Sequence, residues 1–161
     1  MKEYRFINYE YGINIYVNDY TMKLLIDYCE NAKKLETGGI LIGKYLNQVD
    51  VSIEEATGPT DDSVKRKTRF IRGTSSINSV LKDRWSKGLY YIGEWHYHPN
   101  GSVIPSNIDI QTMKNISKKS NYKCPEPILV IIGENYKAGI YVIYNNDVIR
   151  LEEVYTDQKL P

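Results

Sequence analysis

Two histidines, a serine and an aspartate lie close together in the segment GEWHYHPNGSVIPSNID, residues 93–109. His96 and His98 are separated by one residue, so a β-strand would direct both imidazoles to the same face of a sheet. Asp109 follows Ser106 by three residues, which places both on one side of the first turn of a helix. Two imidazoles and one carboxylate, with a fourth position open to water, form the ligand set expected for catalytic zinc. We therefore predict a Zn²⁺ site with His96, His98 and Asp109 as ligands.

Each half of this pattern also has a purely structural explanation. Two histidines with this spacing are often ordinary polar residues on one face of a strand. Ser-x-x-Asp resembles a capping box, which stabilises the amino terminus of a helix without any metal. The chain contains only two histidines, however, and both lie just before the cap-like Ser106 and Asp109. This joint occurrence favours the metal site.

A hydrolytic zinc site also needs a base that does not bind the metal, because a proton must pass from water to the leaving amine. Glu94 precedes His96 by two residues and shares its predicted face, but it is also a candidate for orienting a ligand or for a plain surface charge. Glu36 precedes the strand TGGILIG, whose glycines would let backbone approach a substrate closely. Its alternative is a solvated acid between a helix and a strand. The spacing leaves both glutamates as candidate bases.

Apolar residues at helical spacing predict three helices that would surround these residues. The first follows a cap at Asn18 or Asp19. The second carries a stripe of Ile77, Leu81 and Trp85 at i, i+4 and i+8. The three helices cover residues 19–34, about 74–88 and 106–119.

Alternating and continuous apolar segments predict the strands of one main sheet. They cover residues 4–9, 13–17, 38–46, 49–59, 69–72, 89–98, 127–133, 138–144 and 147–155. The first two strands form a hairpin, and so do the third and fourth. With the three helices, this predicts an α/β (α+β) fold in which a mixed central β-sheet is flanked by helices. The length of 161 residues suits a single domain covering residues 1–161.

The composition is that of an ordinary globular protein, with 42% hydrophobic residues, 25% charged residues and a net charge of +1. This balance gives no electrostatic reason to expect nucleic-acid or membrane binding. The amino-terminal segment lacks the apolar stretch of a signal peptide and no apolar run is long enough for a membrane span, so we expect a cytoplasmic protein. Cys29 and Cys124 are isolated and are expected to be buried thiols. The basic cluster at residues 65–69 is expected to be a solvated loop.

The segments ETGGILIG and GEWHYHPNGSVIPSNID together resemble the JAMM motif of the JAB/MPN metalloprotease family. That motif has a glutamate before a glycine-containing strand, then His-x-His-Pro, six residues, and Ser-x-x-Asp. The spacing in this chain matches without a gap. The segments ATGP, TRFIR and LYYIGEWHYHP are similar to the prokaryotic branch of the family, so the resemblance extends over most of the chain.

The resemblance implies a zinc-dependent hydrolase with an MPN/JAB-like fold. By position, it implies Glu36 as the general acid/base, His96, His98 and Asp109 as the Zn²⁺ ligands, and Ser106 as the hydroxyl that supports the oxyanion. It prefers Glu36 over Glu94 as the base and leaves Glu94 as a residue that orients a ligand. Tyr97 departs from the serine or threonine that often stands between the histidines, and we expect its side chain to point away from the metal.

In the resembled family, the substrates are isopeptide or peptide bonds after the carboxyl-terminal glycine of a ubiquitin-like protein. Small bacterial members resemble deconjugating peptidases encoded beside activating (E1/E2-like) enzymes and nucleotidyltransferases in anti-phage operons. The resemblance thus implies an isopeptidase that releases a nucleotidyltransferase-type target in anti-phage defence. Two alternatives stay open: a JAMM peptidase that processes a sulfur-carrier protein, and a non-catalytic MPN scaffold. An exposed strand edge at GGILIG or at residues 61–69 is expected to bind the substrate tail by β-augmentation.

Overall fold

The computed structural model describes residues 2–155, which contain ten strands and three α-helices. The strands are β1 (Glu3–Asn8), β2 (Ile13–Asn18), β3 (Thr37–Tyr45), β4 (Asp50–Ala56), β5 (Val64–Lys65), β6 (Phe70–Ile71), β7 (Tyr90–Tyr97), β8 (Ile128–Ile132), β9 (Ala138–Tyr144) and β10 (Asp147–Val154). The helices are α1 (Asp19–Ala32), α2 (Ile77–Trp85) and α3 (Asn107–Lys118). None of the helices in this range is long and apolar enough to cross a membrane.

Eight of the strands form one closed, mixed sheet in the order β1-β10-β9-β8-β7-β3-β4-β2. Pairing between β1 and β2 closes the sheet, and the β2–β4 and β7–β8 pairs are parallel while the others are antiparallel. The predicted class, a mixed sheet with three helices, is confirmed. Within residues 2–155, every strand of this sheet has a partner on both sides. The prediction of an exposed edge at GGILIG is therefore wrong, because β3 pairs with both β4 and β7.

The prediction of a strand at residues 69–72 in the main sheet is wrong in the length of the strand and in the sheet to which it belongs. Only Phe70 and Ile71 are extended, and they pair with β5 in a separate two-stranded sheet. The predicted stripe of α2 is also wrong in part, because Trp85 is 69% exposed and Ile77 is the one buried residue of this helix. The basic cluster at residues 65–69 is exposed, as predicted.

Apolar side chains divide between two cores on either side of the closed sheet. The first core lies inside the sheet and includes Leu25 and Cys29 of α1. The second core lies between the outer surface of the sheet and helices α2 and α3, and it includes Cys124. Both cysteines are buried and free, as predicted. Burial raises the pKa of the Cys29 thiol to about 12 and that of the Cys124 thiol to about 11.

The antiparallel pairing of β3 with β7 places the site residues. Thr37 is opposite Tyr97 and Gly38 is opposite His96, so the position before Thr37 lies across from the position after Tyr97. Side chains alternate along a strand, and directly opposite residues share a face. Glu36 and His98 are therefore brought to the same face as His96, the face that the second core covers further along the strands.

Candidate active site

Asp109 lies against both histidines. His96 Nδ1 is 2.8 Å from Asp109 Oδ1, and His98 Nε2 is 3.2 Å from Asp109 Oδ2. Burial opposes the charge on Asp109, but the hydrogen bonds from both imidazoles and from backbone hold the pKa of this carboxyl far below its usual value. The hydrogen bond to Asp109 also raises the pKa of His98. The three predicted ligands are thus brought together at one point.

A capping box at the start of α3 fixes the position of Asp109. The Ser106 hydroxyl accepts a hydrogen bond from Asp109 N at 3.0 Å, and Ser106 N donates to Asp109 Oδ2 at 2.8 Å. Together these bonds satisfy two backbone donors that a helix start would otherwise leave free. The same Oδ2 faces His98, so the structural explanation of Ser-x-x-Asp and the chemical one share atoms. The Ser106 hydroxyl proton is not used by the cap, because the oxygen acts there only as an acceptor.

Glu36 lines a cavity of about 360 Å³ together with His98, Ser106 and Asp109. Burial is the main cause that raises the pKa of the Glu36 carboxyl, and the charge of Asp109 acts in the same direction. The charges of the two histidines oppose this rise. A partly buried carboxyl with a raised pKa, beside a cluster of polar groups, suits a group that takes up and returns a proton.

Glu94, the other candidate base, is fully engaged in a buried ion pair. Arg72 Nε donates to Glu94 Oε1 at 2.7 Å and Arg72 Nη2 donates to Oε2 at 3.2 Å. The Tyr91 hydroxyl donates to Oε2 at 2.7 Å. The carboxylate is only 3% exposed, so it is neither a surface charge nor a free base. It does lie on the histidines' face, as predicted, and lines a second cavity of about 340 Å³ with His96 and Asp109.

The sequence interpretation missed two contacts made by the segment before α2. The ring of Phe70 packs edge-on against the ring of His96, with 5.4 Å between the centroids. The backbone N–H of Glu36 donates to the Arg66 carbonyl at 2.8 Å. A signal was present in the alternation of RFIR, which places Phe70 and Arg72 on one face of an extended segment.

Gly38 is needed for this packing, a role that the sequence expectation for the glycines of β3 did not include. A Cβ at Gly38 would collide first with the Trp95 carbonyl oxygen, and would lie 2.7 Å from the Phe70 ring and 2.9 Å from His96 Cδ2. Gly39 has no free space either, because a Cβ there would meet the Thr57 backbone. Both glycines therefore accommodate neighbouring parts of the chain.

Trp95 and Tyr97, the aromatic residues on either side of His96, face the interior of the sheet. Tyr97 belongs to the first core and points away from Asp109, as predicted. Trp95 is fully buried, and its indole N–H donates to the Thr57 carbonyl at 2.8 Å. The alternation of β7 therefore separates a packing face from a chemical face.

The donor set fits a Zn²⁺ ion, although its atoms now contact one another. Within residues 2–155, no three His, Cys, Asp and Glu side chains form a ready-made metal cage. Each Asp109 oxygen lies instead against one imidazole nitrogen. Donor atoms around tetrahedral zinc lie about 3.3 Å apart, given Zn–N and Zn–O bonds of about 2.0–2.1 Å. The observed separations of 2.8 and 3.2 Å are close to that value. The chemistry of the donors and these two separations are compatible with one shared zinc ion.

Comparisons with known proteins show which family the chain belongs to. Residues 19–146 match the family model described as prokaryotic homologs of the JAB domain. A protein of Enterobacter hormaechei named CD-NTase/cGAS isopeptidase is 40% identical over 146 residues, which are 87% of this chain and 81% of that protein. A probable metalloprotease of Sinorhizobium fredii is 20% identical over 122 residues, covering 73% of this chain and 74% of that protein.

The fold also matches solved structures. The solution structure of a Desulfitobacterium hafniense protein superposes with a TM-score of 0.63 at 19% identity, covering 83% of this chain and 87% of that chain. The resemblance seen in the sequence is thereby confirmed at the level of family and fold. The chain is a hydrolase that belongs to the prokaryotic branch of the JAB family.

Proposed function

We propose that this protein is a zinc-dependent isopeptidase that hydrolyses the bond after the carboxyl-terminal tail of a ubiquitin-like protein. The observation that carries the proposal is the shared cavity of Glu36, His98, Ser106 and Asp109. Residues distant in sequence supply a proton acceptor, metal donors and a hydroxyl to one space, which is the set of groups that amide hydrolysis needs.

In this proposal, His96, His98 and Asp109 hold Zn²⁺, whose Lewis acidity makes water more acidic and polarises the substrate carbonyl. Glu36 accepts a proton from the water that adds to the carbonyl carbon. The Ser106 hydroxyl donates a hydrogen bond to the carbonyl oxygen as negative charge develops there. Glu36 then gives the proton to the nitrogen as the C–N bond breaks, leaving a carboxylic acid and a free amine.

The target that we propose is a nucleotidyltransferase of the CD-NTase type that carries the ubiquitin-like or activating-enzyme tail, within cytoplasmic anti-phage defence. Its support is the name of the Enterobacter hormaechei relative, which is 40% identical. The small β5–β6 sheet supports the mode of tail binding, because each of its two strands has one side without a β-partner within residues 2–155. Lys67 and Arg69, between these strands, also line the cavity of Glu36. A tail that pairs with this sheet would reach that cavity.

The test is cleavage of a CD-NTase conjugate, with the broken bond located by mass spectrometry. We expect cleavage at the tail glycine, loss of cleavage on removal of zinc by a chelator, and recovery on adding zinc. The kcat of Glu36→Gln should fall at least about 100-fold. The kcat of Glu10→Gln, a change at an exposed position in the turn between β1 and β2, should be unaffected. Cleavage that persists in Glu36→Gln would contradict the assignment of the base, and cleavage that persists without metal would contradict the zinc.

A further inference from the structure

The ion pair between Arg72 and Glu94 is the centre of a buried polar network outside the proposed ligand set. Its side chains are 10% and 3% exposed. Besides its two bonds to Glu94, Arg72 donates from Nη1 to the Gly73 carbonyl at 2.9 Å and from Nη2 to the Tyr122 hydroxyl at 3.0 Å. Tyr91 supplies a further donor to Glu94. A planar guanidinium that binds both carboxylate oxygens holds its partner in one orientation, which an ammonium group would not do.

This pair joins two extended stretches of chain that share no backbone ladder. Arg72 contacts Glu94 of β7. Phe70, which lies two residues before Arg72, contacts His96, which lies two residues after Glu94. The side chains of Phe70 and Arg72 thus meet those of β7 in an antiparallel sense, one pair aromatic and the other ionic. The position of Phe70 on the ring of His96 is therefore tied to the ion pair beside it.

The same segment also reaches the proposed base. Arg66 accepts the backbone hydrogen bond of Glu36 at 2.8 Å. At its other end the segment is closed by Asp62, whose carboxylate accepts from Thr74 N and Ser75 N at 3.0 Å each. Residues 61–73, which we term the β5–β6 segment, therefore touch a proposed metal ligand and the proposed base at once.

We propose that Arg72 and Glu94 are positioning residues, which clamp the β5–β6 segment onto β7 and thereby fix His96 through Phe70 and Glu36 through Arg66. This inference rests on the proposed function for its consequence in catalysis, but the clamp itself is a property of the folded chain. Stability alone is a weak reason for such a pair, since apolar residues of similar volume often replace a buried ion pair without loss of stability. Orientation of a neighbouring metal ligand is a role that apolar residues do not fulfil equally well.

The chain contains its own reporter for the clamp. Lys65, Arg66, Lys67 and Arg69 are exposed trypsin sites within the β5–β6 segment. Backbone hydrogen bonds from Arg66 N to the Arg69 carbonyl and from Glu36 N to the Arg66 carbonyl hold the chain at these sites, so local opening of the segment should speed trypsin cleavage while the rest of the protein stays folded. The rate at these four sites is measured by mass spectrometry at 25 °C, on the zinc-loaded protein and on the metal-free protein. It needs no substrate.

The variants are Arg72→Met, Glu94→Met, the double variant and Arg72→Lys. Arg84→Met is the matched control, because Arg84 also holds a glutamate with two hydrogen bonds, to Glu55 at 2.7 and 3.0 Å, outside the segment. Arg72→Met and Glu94→Met each leave one buried charge without its partner and should lower the melting temperature, whereas the pair of Arg84 is partly exposed. The double variant removes both charges, so its melting temperature should return towards the wild type.

We expect cleavage within the segment to rise at least about five-fold in Arg72→Met and to remain raised in the double variant. Affinity for zinc, measured by competition with a chelator, should fall about 10- to 100-fold in both, and kcat should fall with it. Arg72→Lys keeps the charge without the two-point bond and should lie between wild type and Arg72→Met. Arg84→Met should match the wild type in all three measurements.

The proposal would be overturned if the trypsin cleavage rate and the zinc affinity of the double variant returned to the wild-type values together with its melting temperature. The pair would then act only on stability. If the double variant does not fold, Arg72→Lys decides: values equal to those of wild type would overturn the proposal. Absence of isopeptidase activity in the wild type would refute the proposed function, while the cleavage rate would still measure the clamp.

Discussion

Replacement of Ser106 by alanine separates the two roles that this residue has in the structure and in the proposal. Its hydroxyl caps α3 by accepting from Asp109 N at 3.0 Å. Loss of such a cap destabilises a protein by about 1 kcal/mol, within a range of about 0.5–2 kcal/mol. For a domain of this size, that lowers the melting temperature by about 2–4 °C. A protein with about 5–15 kcal/mol of stability remains almost entirely folded after this loss.

The proposed catalytic role is larger and would appear in a different measurement. A hydrogen-bond donor to a developing oxyanion contributes about 10²–10³-fold to kcat. Ser106→Ala should therefore lose about 100-fold or more in kcat at 25 °C while its melting temperature changes little. Ser106→Thr retains a hydroxyl that can cap and donate, and should retain most of both properties.

Asn18→Ala is the matched control. Asn18 caps α1 in the same way, its Oδ1 accepting from Thr21 N at 2.7 Å. The melting temperature of this variant, measured by circular dichroism, should fall by a similar amount. Its kcat on a substrate with a ubiquitin-like tail should not change. The reasoning is refuted if Ser106→Ala and Asn18→Ala have kcat values within about three-fold of one another at equal zinc content, since the hydroxyl would then be only a cap.

Three further predictions follow from packing and ionisation. Gly38→Ala should cost about 1–3 kcal/mol in chemical denaturation, because its Cβ would collide with the Trp95 carbonyl oxygen and with the Phe70 ring; an unchanged stability would contradict this close packing. Backbone hydrogen bonds lower the pKa of Asp62 to about 2. The charged carboxylate should stabilise the fold fully above about pH 3.9, which is the pKa of Asp in the unfolded chain, and this effect should disappear as the pH falls towards 2. The melting temperatures of Asp62→Asn and wild type should therefore differ at pH 6 and converge at low pH. Cys29 and Cys124 should not react with a thiol reagent at pH 8 until the protein unfolds, because burial raises both pKa values; fast labelling of the folded protein would contradict their burial.

Local patterns predicted the parts of the fold that depend on neighbours in sequence. Asn18 was one of two candidate caps for α1, and it accepts the expected backbone hydrogen bond. Closure of the sheet depends instead on residues far apart, such as Arg5 opposite Val154, and no short-range pattern contains that pairing. The stripe on α2 failed for a related reason: the spacing predicted one apolar face, but the tertiary structure covers only its beginning and leaves Trp85 exposed.

The candidate site shows the same division. Ser106 and Asp109 are close together because of helix geometry, so their spacing in the sequence was enough to predict their proximity. The choice between Glu36 and Glu94 could not follow from spacing, because it depends on which one finds a counter-ion. Arg72, 22 residues before Glu94, takes that role, and Glu36 remains in the cavity. Only the resemblance to a known family favoured Glu36 from the sequence.

A β-bulge explains how a single strand supports both the network and the site. Side chains three residues apart on a regular strand face opposite sides, yet the Tyr91 hydroxyl reaches Glu94 at 2.7 Å. Leu41 pairs with Gly93 and Ile42 pairs with Tyr91, so Ile92 is an extra residue that resets the alternation. Because the bulge precedes Gly93, it turns Tyr91 onto the chemical face without changing the register beyond it. Residues before the bulge can thus anchor the network, while the alternation after it still places His96 beside Asp109 and brings His98 across from Glu36.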